Sequence, residues 1–189
     1  MTTVQNSQLS SPLTSGTYTV DPSHSRIGFV ARHAMVTKVR GSFNEFEATA
    51  QIDAEDISRS SVQVTIKVDS IDTRNEQRDG HLRSNDFLDI AGFPELTFVS
   101  TEVTPVSTDV VRVTGDLTIK GVSRPVSIDF TYEGSAVDPF GNQRVGFEGS
   151  VVINRKDWGI TWNAALEAGG VLVSDKITLE FEISAIKAA

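Results

Sequence analysis

Period-two alternation runs through most of this chain and decides what it can fold into. Apolar residues take alternate positions at Ile27, Phe29 and Ala31, at Phe46, Ala48, Ala50 and Ile52, and at Val62, Val64, Ile66 and Val68. The pattern resumes at Leu96 and Phe98, at Val111, Val113, Leu117 and Ile119, and at Val126, Ile128, Phe130 and Tyr132. It continues at Val145, Phe147, Val151 and Ile153, then at Ile177, Leu179, Phe181 and Ile183. The opposite parity is mostly polar, as in Gln63, Thr65 and Lys67. Such strands have one dry face and one wet face. Parallel sheets are buried on both faces and lose this alternation, so the sheet is antiparallel. About eight such runs with little helical period between them predict an all-β barrel or sandwich.

Turn chemistry agrees, with Gly121 after Lys120, Asp138-Pro139 before Gly141-Asn142, and Gly169-Gly170. Phe43 and Phe46 fall on opposite parities, and a bulge between Ser42 and Glu45 would turn both inward and bend the strand. Asp175 shares the inward parity of Val173 and Ile177, which predicts a break in the last strand. The inward set mixes large side chains with small ones, among them Ala31, Ala48, Ala50, Gly115 and Gly149. A barrel of about eight strands is either filled by its side chains or holds one small ligand.

One segment breaks the pattern. From Ile71 to Pro94 the chain is rich in arginine and aspartate, with Glu76 and His81, and it carries Leu82, Phe87, Leu88 and Phe93. It predicts a short helical insert near residues 74–90, with Thr73 and Glu76 as a capping box and Asp79 paired to Arg83 one turn on. The insert fits two readings: a salt-bridged closure of one barrel end, or a portal where Arg78 or His81 meets a polar head and Leu82, Phe87 and Phe93 line the neck. Trp158 and Trp162 fit the wall of the same region or plain core.

With 189 residues the chain is most simply one domain, and a net charge of −8 without a basic stripe argues against nucleic acid and anionic membrane surfaces. The absence of cysteine removes disulfides, thiolate metal sites and a thiol nucleophile. Residues 1–16 read as a disordered polar leader without a signal peptide's apolar region, and residues 17–189 as the domain. No stretch approaches a membrane span, so a cytoplasmic protein is expected. His24, His33 and His81 are the histidines, and none forms a spaced metal-binding pair. A metal-dependent enzyme using them is the alternative to a binding protein. There is no GxSxG elbow and no phosphate loop, so no cofactor is expected.

Several motifs, in order, resemble the YceI-like family. They are Asp21-Pro22-Ser23-His24-Ser25 with Ile27, Phe29 and His33; Gly41-Ser42-Phe43; and Thr73 through Arg78-Asp79, His81-Leu82, Asp86-Phe87-Leu88-Asp89, Phe93-Pro94, Leu96 and Phe98. Gly115-Asp116-Leu117-Thr118-Ile119-Lys120-Gly121-Val122 and Arg155, Asp157-Trp158-Gly159 complete the set. The resemblance implies a lipocalin-like antiparallel β-barrel, often dimeric, that holds a polyisoprenoid, an isoprenoid quinone or a fatty-acid-type lipid without catalytic turnover. Matching positions are His33, Phe43, Arg78, His81, Leu82, Phe87, Phe98 and Trp158. With the inward aromatics Phe29, Phe46 and Phe147 they form the candidate ligand-binding set. Trp158 stands where family members commonly carry a smaller aromatic, which implies a shortened pocket.

Overall fold

The structure, a computed structural model, describes residues 12–167 and 169–189. The strands are β1 (Gly16–Val20), β2 (Arg26–His33), β3 (Thr37–Phe43), β4 (Phe46–Ile52), β5 (Ser61–Lys67) and β6 (Ile71–Asp72). After the helix α1 (Glu76–Arg83) come β7 (Glu95–Pro105), β8 (Val110–Ile119), β9 (Val122–Val137), β10 (Gln143–Asn154) and β11 (Lys176–Lys187). No helix among the described residues is long and apolar enough to cross a membrane.

The sheet closes on itself along β11. One edge of this strand pairs with β10 throughout. The other edge is shared: Leu179 stands opposite Phe29 of β2, and Ala185 opposite Val20 of β1. The antiparallel ladder therefore runs β1-β4-β5-β7-β8-β9-β10-β11 and returns to β1, a closed eight-strand barrel. Closure, not stacking of two sheets, hides the edges. Beside it, β2, β3 and β6 extend the wall at the end where α1 sits.

Two corners shape that wall. Asp21 and Pro22 open a 3-10 turn between β1 and β2, where the Asp21 carboxylate accepts from Ser23 N at 3.0 Å. Between β3 and β4, Phe43 and Phe46 are both buried, as expected. The device is a strand break at Asn44 and Glu45 rather than a bulge within one strand: β3 pairs with β2 and β6, β4 with β1 and β5. The predicted break at Asp175 holds, since β11 begins at Lys176.

The insert departs from its expected details. Asn75, not Thr73, caps α1, accepting from Arg78 N at 2.9 Å. Thr73 is buried instead, and its N–H and hydroxyl both donate to Asp79. Asp79 is thereby consumed inside, and Arg83 turns to the carbonyls of Asp69 and Ile71. A nearby partially charged backbone competes well with a solvated i,i+4 pair worth only about 0.3–0.5 kcal/mol. Of the predicted leader, residues 1–11 lie outside the described residues. Leu13 already packs against the buried group of Tyr18, Val145 and Ala185, and Gly16 begins β1, so ordered structure starts before residue 17.

After β10 the chain makes a 3-10 turn over Arg155–Trp158, ended by Gly159 at φ 76°, then crosses the helix end of the barrel before β11. Arg155 holds this crossing from within. It is 4% exposed, and its guanidinium donates to the carbonyls of Ser174 (2.9 Å), Ile160 (2.9 Å), Trp162 (2.9 Å) and Val173 (3.4 Å). Arg155→Met should lower unfolding free energy by about 3–5 kcal/mol in urea titrations, since it strips the partner from several buried carbonyls. Amide exchange should accelerate first within residues 160–174.

At the opposite end Arg144 ties three elements, donating to Asp138 at 2.7 Å, to Asp21 at 2.8 Å and to Ser184 at 3.3 Å. Its hydrogen bonds hold the Asp138 carboxyl down at about 2, and with Ser23 and His24 hold Asp21 well below the usual range. A carboxyl depressed by folding contributes stability above its unfolded pKa of about 4, lost as pH falls through the folded value. Chemical denaturation at stepped pH should therefore show stability falling between about pH 4 and 2, and Arg144→Met should flatten that fall.

Candidate functional site

The parity of the strands sends one row of apolar side chains inward, and they do not fill the barrel. A lumen of about 310 Å³ remains, at the lower end of the roughly 300–1,000 Å³ typical of ligand pockets. Its wall is almost wholly apolar, built from residues such as Val64, Val113, Ile128, Leu179 and Ile183.

Glycines keep this space open. A β-carbon on Gly41 would stand 2.3 Å from Cζ of Phe29; one on Gly115 would stand 2.5 Å from the Val99 carbonyl oxygen and 2.6 Å from Cζ of Phe98, and one on Gly149 2.8 Å from the Asp129 carbonyl oxygen and 2.9 Å from Cδ1 of Phe130. Each ring occupies the place a neighbouring strand's side chain would have taken. Phenylalanines that would otherwise project across the barrel are thus accommodated against its wall.

The helix end is closed by Leu82, Phe87 and Leu88, which line the lumen, with Phe87 6% exposed. Around them an aromatic group forms: His81 lies edge-on to Trp162 at 4.6 Å and to Phe87 at 5.0 Å, and Phe87 and Trp162 are 5.3 Å apart. The polar residues of the insert face elsewhere. Arg78 donates to the hydroxyl and carbonyl of Thr73, each at 2.7 Å, and His81 Nε2 meets Asp86 Oδ2 at 2.8 Å. Lys120 adds a bond to the Asn85 carbonyl at 2.7 Å. The insert's charges tie its backbone to the barrel, and its apolar side chains form the cap.

Of the residues singled out from sequence, the structure brings Phe29, Phe43, Leu82, Phe87, Phe98 and Phe147 together on the lumen wall. Phe46 and Trp158 are buried in the core without forming part of that wall. Trp158 therefore does not shorten the pocket; its indole N–H is bound to the Leu117 carbonyl at 2.8 Å. Arg78 and His81 brace the cap outside the wall. His33 has inward parity but sits exposed where β2 ends, bridging Val173 through its backbone. Parity stops being informative where the strand leaves the ladder.

The histidines are not gathered into one site. His24 Nδ1 meets Asp21 at 2.7 Å at one corner, His81 lies in the cap, and His33 is at a strand end. Among the described residues, no group of three or more His, Asp or Glu is placed to hold a metal ion. Tyr18 and Ile57 also line the lumen, and the sequence does not mark them because they lie outside the long alternating runs. Gly41 was noted only as a neighbour of Phe43; its contact with Phe29 follows from strand pairing, which one sequence does not display.

Comparison with known proteins gives a consistent result. The model of the YceI-like domain matches residues 18–185. The UPF0312 protein SAS2572 of Staphylococcus aureus is 39% identical over 169 residues, 89% of this chain and 95% of that protein. BcnA of Burkholderia cenocepacia has a similar structure, with a TM-score of 0.77 at 25% identity, covering 87% of this chain and 98% of that one. A polyisoprenoid binding domain from Saccharophagus degradans, implicated in plant cell wall breakdown, shares the fold with a TM-score of 0.68 at 15% identity, covering 90% and 98% of the two chains. With a family match from Tyr18 to Ala185 laid over a closed barrel with an apolar lumen, this chain belongs to the YceI-like family.

Proposed function

We propose that the protein binds a long apolar molecule in the barrel lumen, to carry or store it without chemical turnover. The observation that carries this reading is the continuous, nearly all-apolar lumen running from the cap at Leu82 and Phe87 to Tyr18 at the other end. Each CH₂ buried there contributes about 0.8 kcal/mol, so a chain of modest length binds well without polar contacts. Polyisoprenoids, isoprenoid quinones and fatty-acid-type lipids have this character. The Saccharophagus degradans domain, named for polyisoprenoid binding, offers a precedent on the same fold.

Protein purified from its host should release an apolar molecule into organic solvent, identified by mass spectrometry and present in near-stoichiometric amount. Repeated preparations that yield none, together with failure to bind a neutral apolar dye, would overturn the reading. Gly41→Ala should leave the barrel folded but drive the Phe29 ring into the lumen. Displacing as few as two methylenes of ligand should weaken binding more than about tenfold.

A further inference from the structure

The buried apolar residues form two separate groups. The larger surrounds most of the barrel and includes Ile27, Phe98, Ile128 and Trp158. The smaller holds Tyr18, Val145 and Ala185, with Leu13, Ala50, Ile52, Tyr132 and Phe147 packed against it. Val20 touches both groups, and the lumen is lined by members of each. The smaller group therefore stands at the end of the lumen away from α1.

Tyr18 is its centre. The ring is completely buried, yet it lines the lumen, and its hydroxyl donates to the Thr14 carbonyl at 2.7 Å. Behind it the segment before β1 is strapped down: Thr14 Oγ1 receives Gln143 Nε2 at 3.2 Å and Lys187 Nζ at 3.0 Å, and Ser15 Oγ receives Ala54 N at 2.8 Å. The fully buried ring is hemmed in by its neighbours, and its hydroxyl bond adds a tie to the strapped segment behind it. We infer that Tyr18 is the floor of the lumen and sets the longest chain the barrel accepts. This rests on the lumen being the binding site, and it adds a residue that determines which ligands fit.

The directly opposed residue on β4 is Ala50, which also lines the lumen. The two positions give variants of opposite effect: Tyr18→Ala deepens the lumen and Ala50→Leu raises its floor. The test is displacement of the dye phenylnaphthylamine by a homologous series of primary alcohols, octanol to eicosanol. In the wild-type protein, affinity should climb about fourfold per methylene until the chain meets the floor, then level off. Tyr18→Ala should move that plateau to alcohols several carbons longer, Ala50→Leu to shorter ones, and Tyr18→Phe should leave it in place. Folding of each variant is checked by its thermal unfolding transition; if Tyr18→Ala does not fold, Ala50→Leu decides alone. An unmoved plateau in Tyr18→Ala and in Ala50→Leu, wherever these fold, would overturn the assignment. So would faster exchange in Tyr18→Ala with no gain in length, since that would make the ring a gate. A wild-type protein that binds neither dye nor alcohols would overturn the lumen reading itself, and the floor with it.

Discussion

The hydrogen-bonded seam along β11 is the constraint on which the rest of the molecule depends. By sharing one edge between β1 and β2 while β10 takes the other, this strand turns an open sheet into a barrel. A closed wall has a fixed circumference, so its interior is set by strand number and by the side chains of one parity. Nothing can collapse inward to remove a void without breaking the ladder. A space that a loosely packed helical core would close therefore persists here as a lumen.

Persistence still requires that large side chains stay out of the middle, and this is the part played by Gly41, Gly115 and Gly149. Phenylalanines supply the apolar wall, while glycines on neighbouring strands make room for their rings at its surface. The two ends are handled differently. One carries a helical cap, whose charges bond to backbone and to one another outside the lumen. The other carries an anchored tyrosine backed by the segment that precedes β1. The buried charge of Arg155 serves a third purpose, gathering four carbonyls of the crossing segment that no strand partner satisfies.

Much of this was legible in the sequence, for a physical reason. Period-two alternation is a local signal, and a one-sided strand has few alternatives to facing a core on that side. It placed the strands, the inward sets and the break at Asp175. The insert's place as a helical interruption was equally legible, and its family resemblance singled out residues that do lie on the lumen, such as Leu82 and Phe87. What stayed hidden depends on partners far apart in sequence. Asp79 reads as a surface ion-pair residue until Thr73 folds over it, and Arg155 stands in a family-like motif without any local sign of the crossing segment that wraps it. Trp158 and His33 show the converse: motif membership marks residues that matter to the family, but not whether they brace the barrel or face its interior.

A lumen that is a binding space and not a packing defect should be occupied in the cell. A crystal structure of the protein as isolated from its host would show that occupant. One elongated, unbranched or regularly branched density is expected along the barrel axis from Phe87 towards Tyr18, in contact with side chains such as Val113, Ile128 and Leu179. A lumen filled by repacked phenylalanines, or occupied by ordered water, would contradict that reading of the lumen.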